Sequence, residues 1–112
     1  MPSERTLQAL RNMLENAKLA QSFVAGLDYL GFSTDRRAVY AVTRCLEIIS
    51  EVRRRLDDDI RARHPELPWR AIMGAGNIYR HDYDSVVEEF LWRTVNHSLA
   101  PLIAVVETEL GA

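Results

Sequence analysis

Asn77, Arg80, His81 and Tyr83 bring an amide, a guanidinium, an imidazole and a phenol into one short stretch of the chain. The surrounding segment, PWRAIMGAGNIYRHDY from Pro68 to Tyr83, reads as a helix. Pro68 suits a first helical turn, where the N–H it lacks would have no partner. Trp69, Ile72, Gly76, Tyr79 and Tyr83 recur at helical spacing and mark one face. Asn77 and His81 are four apart and so are neighbours along another stripe. Gly76 and Arg80 are also four apart, which sets Arg80 over the patch that Gly76 leaves bare. An imidazole that titrates near neutrality can give or take a proton, and a guanidinium fork can grip an anion. The plainer reading is that His81 and Tyr83 cap the end of a packed helix, since clustered polar groups are often structural. Taken alone, composition favours that plainer reading.

The rest of the composition bounds the problem. A chain of 112 residues is expected to form one domain with one core. Its 47% apolar and 27% charged residues are those of an ordinary globular protein. No apolar run approaches the ~20 residues of a membrane span. The opening MPSERTLQAL is polar and has no signal-peptide core, so a cytoplasmic protein is expected. The single cysteine, Cys45, rules out an internal disulfide framework and fits a reducing compartment. Its apolar helical neighbours make it a core residue rather than a nucleophile.

His64, His81 and His97 show no metal-ligand spacing with Cys, Asp or Glu. The glycines at Gly74 and Gly76 do not make a phosphate loop. No metal and no cofactor are therefore expected. The net charge of −2 does not argue for nucleic acid in bulk. The distribution is more suggestive, because Arg53, Arg54, Arg55, Arg61, Arg63, Arg70 and Arg80 all lie mid-chain. They form either a phosphate-binding surface or a solvated face partly neutralised by Asp57, Asp58 and Asp59.

The elements that must position these groups are all helical. Ser3 caps a helix from about Glu4 to Ala25, with Leu7, Leu10, Leu14, Ala17 and Val24 as its stripe, widened by Met13, Ala20 and Phe23. Gly26 ends it. Leu27 to Ser33 is a linker with one short turn capped by Asp28, and Tyr29, Leu30 and Phe32 are expected to tuck under the bundle. Ser33 or Thr34 caps the next helix, with Asp35 in its first turn. Ala38, Val42, Cys45, Leu46, Ile49, Val52 and Leu56 give that helix a face wide enough for contacts on two sides. ARHPELP breaks it around Pro65. After the Pro68–Tyr83 segment, Asp82 to Ser85 is a turn and Val86 to Val95 a fourth helix. Asn96 to Ser98 interrupts, with His97 as a cap at the junction. Leu99, Leu102, Ile103, Val106 and Leu110 then carry a fifth helix, Pro101 sits in its first turn, and Gly111 stops it. The expected fold is all-α, an up-and-down bundle of four or five helices whose first two are the longest.

With these residues in place, the chain resembles the HepT-like branch of the HEPN domains, the toxin half of HEPN/nucleotidyltransferase pairs. That branch carries an isoleucine or leucine, then Pro-Trp, an Ile three residues on, and Arg-Asn-x-x-x-His-x-Tyr. The matching segments are LPWRAI at Leu67 to Ile72 and GNIYRHDY at Gly76 to Tyr83. LEIISE at Leu46 to Glu51 is similar to the family's L-E-I-I-G-E, with Ser50 for Gly. The resemblance runs from the first helix through Trp92 and the LAPL stretch. Asn77, His81 and Tyr83 fall on motif positions; the motif arginine does not, and Gly76 stands in its place.

The resemblance implies a cytoplasmic, metal-independent endoribonuclease that works as a homodimer. In that chemistry the 2′-OH of the RNA attacks its own phosphate, and the protein supplies a base, an acid and a cation. His81 would be the acid or base, and Asn77 would orient it or bind phosphate. Arg80 would replace the missing motif cation, because helix side chains lean toward the N-terminus and can reach back one turn. Two chains would pair so that their motif segments line one cleft. Tyr83 would be the acceptor of AMP from a minimal nucleotidyltransferase antitoxin, and the added phosphate would repel RNA. Two alternatives stay open. The domain can be a non-catalytic helical subunit that only binds the nucleotidyltransferase, and Tyr83 can be an aromatic packed over a helix end.

Overall fold

The computed structural model describes residues 3–67, 69–70 and 85–111, with side chains from residue 88 onward in the last of these stretches. Every regular element among them is helical: α1 (Glu4–Val24), α2 (Tyr29–Ser33), α3 (Arg36–Val52), a 3-10 turn (Arg53–Arg55), α4 (Asp58–Arg63), α5 (Ser85–Arg93), a π turn (Thr94–Ser98) and α6 (Leu99–Gly111). The architecture is the expected all-α bundle.

α1 starts where Ser3 has extended backbone and its hydroxyl accepts from the Thr6 N–H at 3.1 Å. One of the four donors left orphaned at a helix start is thereby satisfied. The helix ends before Gly26, whose φ of 80° is open to glycine at little cost. Its buried side chains are Thr6, Ala9, Leu10, Met13, Ala17, Ala20 and Val24. That line is displaced from the expected one: Leu7 and Leu14 are only half-buried, and Phe23 is 39% exposed. The small Ala9, Ala17 and Ala20 let neighbouring helices approach closely. α1 packs along both α3 and α6 and so forms the centre of the described bundle. Met13, at 0% exposure, is among the largest side chains at that seam; burying such a chain contributes about 1.5–3 kcal/mol.

α2 is the short turn expected from Asp28, whose carboxylate accepts from the Gly31 N–H at 2.8 Å. Of its three large apolar residues only Phe32 is buried. Tyr29 and Leu30 do not tuck under the bundle; Leu30 is 70% exposed. On a single turn, one residue in three can face the core, and Phe32 takes that place against the ring of Trp92 at 5.4 Å. Tyr29 meets the same ring edge-on at 6.0 Å, which fastens α2 to α5.

α3 is capped by Asp35 rather than by Ser33 or Thr34. The Asp35 carboxylate accepts from the Arg37 and Ala38 N–H groups at 3.0 and 3.2 Å. The Ser33 and Thr34 hydroxyls are turned back onto the Leu30 carbonyl and are spent there. The wide face is present: Ala38, Val42, Cys45, Leu46, Ile49 and Val52 are buried, with Val39 and Thr43 added, and Leu56 is buried just beyond. Burial pushes the Cys45 thiol up, which fits a packing role.

The second helix was expected to run on to a break around Pro65; instead α3 ends at Val52, and after the 3-10 turn the separate short helix α4 follows. Asp57 precedes it, Asp58 and Asp59 sit in its first turn and favour the dipole, and Ile60 is driven inward at 1% exposure.

The expected interruption at Asn96 to Ser98 is a widened turn, and the helix continues through it without a break from Ser85 to Gly111. Within it the Leu99 N–H reaches back to the Thr94 carbonyl. Pro101 lacks the N–H that the His97 carbonyl would accept in a regular helix, and its ring crowds that carbonyl. The carbonyl lies in the widened turn, where such mismatches are usually absorbed. His97 is exposed on that turn and does not cap a new helix.

Candidate functional site

The residues singled out for chemistry, Asn77, Arg80, His81 and Tyr83, and Gly76 with them, lie outside the described residues. What the structure does describe is how the chain is held just ahead of them. Leu67 is buried at 5% exposure, and Trp69 packs half-buried against the core. The Trp69 indole N–H donates to the His64 carbonyl at 3.1 Å, and its backbone N–H donates to the Leu67 carbonyl at 2.8 Å.

His64 and Arg63 are in turn tied to the last helix. Arg63 donates from Nε and Nη2 to Glu109 Oε1 at 3.1 and 2.6 Å. His64 Nε2 lies 3.3 Å from the same oxygen, and His64 Nδ1 lies 3.5 Å from Glu66 Oε1. The Glu109 side chain is 11% exposed. The Arg63 hydrogen bond holds its carboxyl below the ordinary glutamate range, against the lift from burial, and His64 pulls in the same direction. The same hydrogen bond raises the Arg63 guanidinium. Charge-assisted bonds of this kind are stronger than neutral ones. The chain leading to the motif residues is thus anchored to α6 by side chains far away in sequence. Local reading missed this set because its signal lies in two segments 46 positions apart.

The mid-chain arginines separate into two groups. Arg61 is paired with Asp58 at 2.9 Å, and Arg63 with Glu109 and with Asp59 at 3.7 Å. Asp58 and Asp59 therefore neutralise part of the basic run, as the solvated-face alternative expected. Arg53, Arg54 and Arg55 form no ion pair with a described residue. Arg54, Arg55 and Arg70 are exposed, while Arg53 is half-buried and its Nε is buried with no hydrogen-bond partner. Partial burial lowers the Arg53 pKa, and the nearby Arg61 and Arg54 lower it further against a smaller pull from Asp58. Among the described residues no cluster of His, Cys, Asp and Glu could hold a metal ion, and no helix is long and apolar enough to cross a membrane.

With the helical bundle and its anchored approach to the motif described, comparison with known proteins places the chain. The profile of the family described as "Ribonuclease HepT-like" matches residues 13–109. The chain is 34% identical over 106 residues to a Methanocaldococcus jannaschii protein named "Putative RNase MJ1380", covering 94% of this chain and 97% of that one. It is 31% identical over 93 residues to the "Probable ribonuclease HepT" of Thermococcus cleftensis, covering 83% and 84%. The protein is an all-α domain of the HEPN class. Within that class, this chain belongs to the HepT-like ribonuclease family. No solved structure was found to match it.

Proposed function

We propose that this protein is a metal-independent endoribonuclease, the toxin of a HEPN/nucleotidyltransferase pair, active as a homodimer in the cytoplasm. The observation that carries the reading is the order Asn77-x-x-x-His81-x-Tyr83 in a chain similar over nearly its whole length to proteins named as RNases. His81 moves the proton at one end of the reaction, taking it from the 2′-OH or giving it to the departing 5′-oxygen. As the new P–O2′ bond forms and the P–O5′ bond breaks, Arg80 holds the phosphate oxygens on which charge builds. Asn77 orients the imidazole or the phosphate. The second copy of the set, on the partner chain, supplies the complementary acid or base. A small nucleotidyltransferase antitoxin silences the site by placing AMP on Tyr83, where its phosphate repels the RNA backbone.

The test is cleavage of single-stranded RNA by the purified protein in the presence of a chelator, with His81→Ala as control. Cleavage by the wild type and none by the variant is expected. Equal cleavage by both would trace the activity to a contaminant or to other residues.

Gly76 favours a second reading. It stands where the family pattern has arginine, and losing one transition-state donor typically costs about 10²–10³ in rate. On that reading the domain is a non-catalytic HEPN subunit that keeps the surface for its nucleotidyltransferase partner.

A further inference from the structure

We propose that the turn Arg53–Arg55 and the adjoining Arg61 form a phosphate-binding subsite that grips a single-stranded RNA outside the cleavage motif. The choice of RNA rests on the ribonuclease reading above; the anion site rests on the arginines themselves. Three consecutive guanidiniums leave the end of α3 on one short turn, and none of them is ion-paired to a described residue. Arg53 is held half-buried with its Nε facing no acceptor. Because that Nε is buried, an incoming phosphate would be met by the exposed Arg54 and Arg55 guanidiniums.

The neighbouring carboxylates are engaged with other arginines. Asp58 reaches Arg61 at 2.9 Å, and Asp59 is turned to Arg63. Thr6 and Ser3 hold the backbone at the end of the turn. Thr6 Oγ1 donates to the Arg55 carbonyl at 3.3 Å and accepts from the Asp57 N–H at 3.2 Å, while the Ser3 N–H points to Asp57 Oδ2 at 3.5 Å. The backbone of the turn is thereby fastened to the start of α1, and its guanidiniums are presented on a rigid frame rather than on a free loop. Like charges crowding a partly desolvated guanidinium favour the bound state of an anion over the empty one. Several forks spread over one turn suit a chain of singly charged phosphodiesters better than one compact ion. The chain as a whole carries −2, so this attraction is local to the turn rather than a property of the bulk charge.

The experiment measures binding of a short fluorescein-labelled single-stranded RNA by anisotropy, in a His81→Ala background so that the probe survives. Arg54→Gln and Arg61→Gln should each weaken binding roughly tenfold, the size of one lost charge-assisted contact. Each should also flatten the slope of log affinity against log salt by about 0.7. Asp58→Asn should tighten binding, because it frees Arg61; a mere loss of folding cannot produce that sign. Unchanged affinity and salt slope in both arginine variants, or no RNA binding by the parent protein, overturns the subsite. So does RNA binding that survives while capture of the nucleotidyltransferase partner is lost, which would make the turn a protein-docking surface. Failure of the ribonuclease reading looks different: the arginines still govern binding, but the protein with His81 intact cuts nothing.

Discussion

Arg63 and Glu109 meet with Nη2 and Nε both on one carboxylate oxygen, at 2.6 and 3.1 Å, across 46 positions of sequence. The pair joins α4 to α6 ahead of the motif residues in the sequence. Its pH behaviour follows from sign alone. The Glu109 carboxyl is held below its ordinary value when folded. Its contribution is therefore complete above the unfolded-state value of about 4.3 and is lost as pH falls through the depressed one. The thermal midpoint of the wild type should drop on acidification below about pH 4 more steeply than that of Glu109→Gln. At neutral pH the variant should already melt lower. Parallel acid profiles for the two proteins, read by circular dichroism, would show that the pair adds nothing.

Thr6 is fully buried and its hydroxyl serves three partners: Ser3, Arg55 and Asp57. Thr6→Val keeps the shape and removes the hydroxyl, leaving the Asp57 N–H without its acceptor. We expect a loss of about 1–3 kcal/mol in urea unfolding, with Thr6→Ser recovering most of it. A change within error for Thr6→Val would mean that water replaces the hydroxyl at no cost.

Arg80 is the residue that tests whether a cation replaces the one missing at Gly76. If the cation has moved one turn along the sequence, Arg80→Ala abolishes RNA cleavage as fully as His81→Ala, and lysine rescues poorly because a point charge does not reproduce the fork. An inert wild type that gains cleavage with Gly76→Arg would instead establish the silenced, partner-binding domain.

Tyr83 should carry the AMP adduct after co-expression with the cognate nucleotidyltransferase, read by mass spectrometry. Tyr83→Phe should then stay unmodified and remain toxic in the presence of the partner. An adduct confined to Tyr29, Tyr40 or Tyr79 leaves Tyr83 with a packing role.

A composite site requires two chains related by a two-fold axis. Light scattering at micromolar concentration should report a dimer. Mixing inactive His81→Ala and Arg80→Ala proteins should restore part of the activity if the two chains share one cleft. A monomer that still cleaves RNA would remove the composite site.

The parts of the fold legible in the sequence are those whose cause is local. The Ser3 cap, the Asp28 turn and the stop at Gly26 each follow from one side chain acting on the next few backbone groups. The wide face of α3 was legible because seven apolar residues repeat the helical period. The choice among neighbouring caps was not, since Ser33, Thr34 and Asp35 all have the chemistry and only the return of two hydroxyls to Leu30 selects Asp35. Nor was α4, whose aspartates and arginines read as one charged run until Ile60 is given a core to enter. Pro101 and the polar Asn96-His97-Ser98 look like a break, yet a single widened turn carries the helix across them. Of the candidate site, the sequence offered the residue types and their spacing. The tie between Glu109, Arg63 and His64 depends on two segments meeting in space, and nothing in either segment announces the other.

The contact between Ser3 and Asp57 has a practical consequence for anyone handling this protein. A fusion joined ahead of Ser3 leaves the bundle beside Arg53, Arg54 and Arg55. An acidic tag or linker there would act, at high local concentration, as a tethered competitor for any anion that the turn binds, without altering a single residue of the domain. A polyhistidine tag would do the reverse in acid, adding cations beside the arginines as its imidazoles protonate. Purification handles therefore belong at the Gly111 end, and assays made with N-terminal fusions should be repeated after their removal.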